Sequence, residues 1–163
     1  MRTKITPNLW FDTEALDAAQ FYVSIFDNSR IVQVTHYTDA GPRPAGTVMT
    51  VEFELAGNRF VALNGGPEFS FDEAVSFQID CADQDEVDRF WQRLSEGGGQ
   101  PGPCGWIKDR FGLAWQVVPV ELEELVADPD PARAERAMRA MFEMGKLDIA
   151  ALREAAAGTA PQT

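Results

Sequence analysis

Histidine and cysteine are nearly absent from this chain. His36 is its single histidine, and Cys81 and Cys104 are its two cysteines. One histidine excludes a histidine-rich metal site and leaves most histidine-based catalytic relays without a partner. Two isolated cysteines exclude a disulfide framework and a cysteine zinc site.

Basic residues and long apolar runs are also scarce. The chain has 14 Lys and Arg against 26 Asp and Glu, and its net charge of -12 repels a phosphate backbone. No stretch approaches the roughly 20 apolar residues that a membrane span needs, and no apolar leader opens the chain. We therefore expect a cytoplasmic protein with no nucleic acid and no membrane among its partners.

Two stretches of the sequence have the same order of predicted elements: strand, helix, strand, strand, strand. They cover about residues 5–66 and 72–119. In the first, a strand is expected over residues 47–55, because residues 49–55 alternate apolar and polar side chains, which predicts one apolar face. The aromatic pair Phe21-Tyr22 of the first helix recurs as Phe90-Trp91 in the second helix. The order of elements and this pair together indicate an internal repeat.

The second half of the chain contains several local signals. Asp83 and Glu86 have the spacing of a capping box, which predicts a helix that the glycines at 97–99 end. Short strands are expected over residues 100–104 and 105–108, followed by a structural turn at Asp109. Residues 121–163 read as a helical extension, with helix starts at Asp130 and Asp148. The predicted domains are thus residues 1–120 and 121–163.

Five segments of the chain serve as family motifs: ITPNLWFD, FYVSIFDNSRI, FVALNGG, CGWIKDRFGLAWQVVP and MGKLDIAAL. They resemble the PhnB-like family, also labelled 3-demethylubiquinone-9 3-methyltransferase, within the vicinal oxygen chelate superfamily of glyoxalases, dioxygenases and bleomycin-resistance proteins. The resemblance implies an α+β fold in which two βαβββ modules form a curved mixed sheet around a cleft, with C-terminal helices added. It also implies a homodimer.

Metal-using members of that superfamily bind a divalent ion through four side chains, usually histidines and glutamates, on strands of the two modules. The equivalent stretches here offer Pro7 or Asn8, Asn64, a residue within 76–78, and Gln116. None is a histidine or a carboxylate, and neutral amides alone do not offset the dehydration of a divalent cation. We therefore predict no metal at the usual site and no cofactor.

Five residues are predicted ligand-binding groups. Asn64 and Gln116 would present amides to the cleft, unless they hydrogen-bond to each other or to the backbone. Asn8 lies within the predicted first strand, residues 5–11. Trp106 could stack on an aromatic ligand, although large aromatics mostly fill cores. Cys104 could be a reactive thiol, although a buried and inert one is the more common case.

Glu52 is the predicted catalytic residue, because a carboxylate on a concave sheet can act as a general base. Its alternative role is an ordinary solvated or interface charge. Glu54 lies on the same strand face, and His36 is interpreted as structural. A metal site displaced to Glu52, Glu54 or His36 stays open as an alternative.

The function predicted from the sequence is a metal-free cleft that binds a small, partly aromatic or oxygenated molecule. Whether a reaction follows is left open. The alternatives are a metal-dependent enzyme with a displaced site and the methyltransferase of the family label. The methyltransferase has little support because no glycine-rich turn opens a helix.

Overall fold

A computed structural model describes residues 3–159 of the chain. It contains two compact units, one ending at Phe71 and the other beginning at Asp72. Within the described residues, no helix is both long enough and apolar enough to cross a membrane. The predicted α+β class with two βαβββ modules is confirmed.

The first unit contains one helix and a four-stranded mixed sheet. Its elements are β1 (Asn8–Phe11), α1 (Ala15–Ile25), β2 (Arg30–His36), β3 (Val48–Leu55) and β4 (Asn58–Asn64). The sheet order is β1-β4-β3-β2, with β1 parallel to β4 and the other pairs antiparallel. The first strand of the unit is therefore paired with its last.

Helix α1 packs on one face of this sheet. Its buried residues recur at the helical period: three alanines, Ala15, Ala18 and Ala19, and the large Tyr22 are fully buried. The alternation predicted for residues 49–55 is present from Val51 onward, because Val51, Phe53 and Leu55 are buried while the residues between them are half-buried. Phe53 stacks on Phe60 with ring centroids 5.5 Å apart.

The second unit repeats this plan, and its second, third and fourth strands are shorter than those of the first unit. Its elements are β5 (Ser76–Cys81), α2 (Gln84–Ser95), β6 (Gln100–Pro101), β7 (Trp106–Lys108) and β8 (Ala114–Pro119), in the sheet order β5-β8-β7-β6. Again the first strand is parallel to the last. Phe21 and Phe90 are both the seventh residue of their helix, which places the aromatic pairs at equivalent positions of the two units.

The capping box at the start of α2 is confirmed. The Glu86 backbone N–H donates to Asp83 Oδ1 at 2.9 Å, and Glu86 Oε2 accepts from the Ala82 N–H at 2.8 Å. The strand predicted over residues 100–104 is wrong beyond Pro101. Prolines at 101 and 103 lack a ladder donor, and Cys104 has a left-handed backbone with φ 57°, so the chain turns there.

Three helices follow the second sheet: α3 (Glu121–Val126), α4 (Pro131–Glu143) and α5 (Ile149–Ala157). Asp130 and Asp148 cap α4 and α5 as predicted. Leu122, Leu147 and Leu152 form a buried cluster that holds these helices together. The helices belong to the compact unit that begins at Asp72. The division at residue 120 stays a prediction, and residues 160–163 of the expected extension lie outside the described residues.

Candidate functional site

One row of side chains crosses the second sheet on the face opposite α2. Trp106 of β7 is directly opposite Gln116 of β8, and Gln116 is in turn opposite Gln78 of β5. Their strand neighbours Ile107, Trp115 and Ile79 are buried, which directs the row away from the helix. We call Gln78, Trp106 and Gln116 the Trp106 face.

The Trp106 face offers an unused donor beside an unused acceptor. Gln116 Nε2 donates to Ser76 Oγ at 2.9 Å, and Gln78 Nε2 donates to Asp80 Oδ1 at 2.8 Å. Within residues 3–159, neither Gln116 Oε1 nor the Trp106 indole N–H has a hydrogen-bond partner. Both side chains are half-buried. A bound molecule with a carbonyl and a hydroxyl or amide could satisfy both atoms.

A cavity of about 160 Å³ lies next to Trp106. Its walls include Pro101, Pro103 and the apolar side chain of Ala114, with Lys108 at one side. Lys108 Nζ lies 2.7 Å from Glu73 Oε1, and this hydrogen bond is the main reason that the pKa of Glu73 is lowered. Because an apolar cavity of about 150 Å³ accommodates benzene, this one has room for a single ring.

Glu52, the predicted general base, lies on the face of the first sheet opposite α1 and is paired with a cation. Arg59 Nε donates to Glu52 Oε1 at 2.5 Å, and Arg59 Nη1 donates to Thr6 Oγ1 at 2.7 Å. The hydrogen bond to Glu52 raises the pKa of Arg59. A carboxylate bound to a guanidinium is a weaker base than a free one, so this pairing favours a structural role for Glu52.

The residues that could form a displaced metal site are not grouped. Glu54 is paired with Arg30 at 3.0 Å. His36 is exposed and pairs with Val48, four residues from Glu52 along β3, which corresponds to about 13 Å. In the part of the chain that the structure describes, no group of three or more His, Cys, Asp or Glu side chains could hold a metal ion. The donor set therefore does not fit the superfamily's metal.

Asn64 lies on the helix-packed side of the first sheet, where it is 6% exposed. Its Oδ1 accepts from the backbone N–H of Ala15, the first residue of α1, at 2.8 Å. Its Nδ2 donates to the Val48 carbonyl at 3.2 Å. The side chain of Glu14 does not cap α1, so Asn64 caps it from a strand distant in sequence. This geometry favours the backbone-bonded alternative over a ligand role.

Asn8 and Cys104 lie in local backbone features. Asn8 is exposed, and its Nδ2 donates to the Thr6 carbonyl at 3.1 Å. Cys104 is half-buried in the turn before β7, and its backbone N–H donates to the Met144 carbonyl at 2.8 Å. Neither residue belongs to the Trp106 face.

Asp109 is structural, as the sequence predicted. It is 2% exposed; its Oδ1 accepts from the backbone N–H groups of Phe111 and Leu113, and its Oδ2 accepts from Trp115 Nε1 at 2.9 Å. The sequence reasoning missed Arg59 as the partner of Glu52. The tight turn at residues 56–57 contained the signal, because it sets the register that brings Arg59 opposite Glu54 and diagonal to Glu52.

Two βαβββ units, each with its first strand parallel to its last, define the fold class of the vicinal oxygen chelate superfamily. Residues 3–118 match the family model described as 3-demethylubiquinone-9 3-methyltransferase, and the chain belongs to this family. Helices α3 to α5 lie beyond the matched residues.

Solved structures that are similar to the chain include one from Bacillus cereus and one from Pseudomonas aeruginosa. The PhnB protein from Bacillus cereus is 31% identical over 72% of this chain and 100% of its own, with a TM-score of 0.65. Protein PA1353 from Pseudomonas aeruginosa is 21% identical over 72% of this chain and 97% of its own, with a TM-score of 0.59, and this likeness concerns the fold alone. No curated protein matches the chain.

Proposed function

We propose that this protein binds a small, partly aromatic or oxygenated molecule on the Trp106 face, without a metal. The observation that supports this proposal best is the free indole N–H of Trp106 opposite the free Oε1 of Gln116. A neutral ligand is favoured over an anion because the chain has a net charge of -12.

The size of the cavity beside Trp106 narrows the ligand class. A volume of about 160 Å³ fits one ring rather than a nucleotide or a fused system. Half-buried tryptophan supplies a flat surface for such a ring. Gln116 is opposite Trp106 but does not line the cavity, so its amide would accept from a hydroxyl that extends from the ring beyond the cavity. The proposed ligand is therefore a monocyclic phenol, or an amide of similar size.

Saturation-transfer NMR with catechol, benzamide and benzoate tests this proposal. We expect transfer to catechol or benzamide at millimolar concentration and weaker transfer to the benzoate anion. Gln116→Leu removes one hydrogen bond, about 1 kcal/mol, and should weaken binding roughly fivefold. Trp106→Ala should abolish transfer. Trp91→Phe, a change of the half-buried tryptophan on α2, is the matched control and should bind as the wild type does.

Absence of transfer to all three probes would contradict the proposal. Equal transfer in the wild type and in Trp106→Ala would contradict it as well, because the probe would then be bound elsewhere on the protein.

The activity in the family's description has less support from the geometry. Gly97 and its glycine neighbours follow α2 and lead into β6, and Gly65-Gly66 follow β4 and lead into Pro67. A nucleotide cradle needs the reverse order, in which the glycine turn opens a helix. Saturable binding of S-adenosylmethionine in a calorimetric titration would reverse this preference.

We also propose that the protein is a homodimer, because the family resemblance implies dimerisation, and that it is located in the cytoplasm. Sedimentation analysis that gives a single species near 36 kDa, twice the chain mass of 18.0 kDa, would support the dimer.

A further inference from the structure

Strand β7, which presents Trp106, is only three residues long and depends on the turn before it. Two backbone N–H groups of that turn donate to the segment between α4 and α5. The Cys104 N–H donates to the Met144 carbonyl and the Gly105 N–H to the Gly145 carbonyl, both at 2.8 Å. The C-terminal segment thus satisfies donors at the residues that directly precede Trp106.

Gly105 joins this segment to the centre of the second sheet. Its carbonyl accepts from the Val117 N–H of β8 at 2.8 Å. The residue has φ +82°, and a Cβ there would lie 2.8 Å from the Val117 carbonyl oxygen and 3.0 Å from Leu147 Cδ1. Leu147 therefore packs directly against the backbone of Gly105, and only glycine fits between Leu147 and β8.

The segment between α4 and α5 also makes contacts on the side away from Gly105. Leu147 is fully buried in the cluster with Leu122 and Leu152. Gln84, at the start of α2, donates from Nε2 to the Leu147 carbonyl at 3.0 Å and accepts at Oε1 from the Ile149 N–H at 2.8 Å. Residues 144–149 are thus held between α2, the leucine cluster and the turn before β7. We call them the C-terminal strap.

We infer that the C-terminal strap positions Trp106 for ligand binding, with Leu147 as the positioning residue that transmits docking of the strap through Gly105. The inference rests on the proposed ligand function of the Trp106 face. By this inference, helices α3 to α5, which lie beyond residue 118, help to set the position of Trp106 on the second sheet.

Protein labelled with 5-fluorotryptophan provides a direct readout of Trp106 by ¹⁹F NMR, with the signal assigned by Trp106→Phe. We expect Leu147→Ala to shift or broaden the Trp106 signal while the Trp10 signal of the first unit stays unchanged. Leu152→Ala removes the same volume from the same cluster, but the side-chain atoms nearest to Gly105 belong to Leu147. This control should leave the Trp106 signal in place.

Catechol binding to the same samples gives the second readout. Leu147→Ala should weaken it about threefold, which corresponds to ~0.65 kcal/mol, and Leu152→Ala should not. If Leu147→Ala does not fold, Gln84→Leu is the second variant. It removes the two hydrogen bonds from Gln84 to the strap and should move the Trp106 signal in the same direction.

An unchanged Trp106 signal in folded Leu147→Ala or Gln84→Leu overturns the inference, and so does an equal change in Leu152→Ala. If the wild type binds no catechol while the Trp106 signal responds as expected, the proposed function fails and the positioning of Trp106 by the strap stands. The two failures are therefore distinguishable.

Discussion

Replacement of Asn64 separates its capping role from a ligand role. Asn64→Ala would leave the Ala15 N–H, on a fully buried residue, without its acceptor at 2.8 Å. An unsatisfied buried donor costs about 1–3 kcal/mol, and loss of the bond to the Val48 carbonyl adds about 1 kcal/mol. We therefore expect a loss of about 2–4 kcal/mol in the free energy of unfolding. This expected loss is larger than the cost of replacing an ordinary N-cap residue, which is about 0.5–2 kcal/mol.

Urea unfolding of the variant, followed by circular dichroism, measures this loss. Amide hydrogen exchange locates it, and Ala15 at the start of α1 should exchange faster in Asn64→Ala. Asn64→Asp keeps the acceptor and gains from the helix dipole, but it loses the donor to Val48. The free energy of unfolding of Asn64→Asp should therefore lie between that of the wild type and that of Asn64→Ala.

Asn8→Ala is the control, because Asn8 is exposed and bonds only locally to the Thr6 carbonyl. Its stability should stay within about 0.5 kcal/mol of the wild type. The capping argument is refuted if Asn64→Ala matches this control in stability and leaves the exchange of Ala15 unchanged.

Three further predictions concern other buried or paired groups. Asp109→Ala leaves three donors, including Trp115 Nε1, without an acceptor and should lower the free energy of unfolding by about 3–5 kcal/mol in urea titrations. Burial raises the pKa of the Cys81 thiol to about 12, so Ellman's reagent at pH 8 should titrate at most one thiol in the folded chain, that of Cys104. The hydrogen bond from Lys146 lowers the pKa of Asp88, so the stabilisation from this pair is present above the ordinary carboxyl pKa and is lost as pH falls through the lowered value. The stability advantage of the wild type over Asp88→Asn should accordingly shrink as the pH falls below the ordinary carboxyl pKa.

The sequence predicted the fold well because its signals are local and repeated. The alternation through Val51, Phe53 and Leu55, the capping box at Asp83 and the turn at Asp109 each depend on residues close in sequence. The strand over residues 100–104 was predicted too long. The prolines at 101 and 103, which lack a ladder donor, were visible in the sequence, whereas the left-handed backbone of Cys104 was not.

The candidate site was less predictable because it depends on pairing between distant strands. The opposition of Trp106 and Gln116 follows from the β7–β8 register, and the pairing of Glu52 with Arg59 from the β3–β4 register. A resemblance to metal-binding relatives directed attention to Asn64. Alternation along β4 places Asn64 with Phe60 and Ala62 on the helix side, and this information was already present in the sequence.

The cap that Asn64 provides for α1 also bears on the order of events during synthesis. Ala15 and Asn64 are 49 positions apart, and β1 pairs with the same distant strand, β4. A chain that leaves the ribosome N-terminus first exposes α1 and β1 long before their partners in β4 emerge. Because β4 pairs with both β1 and β3, the first unit cannot complete its sheet or cap α1 before residues 58–64 emerge. Slow codons placed after that point would give the nascent chain time to close this unit before the second sheet begins.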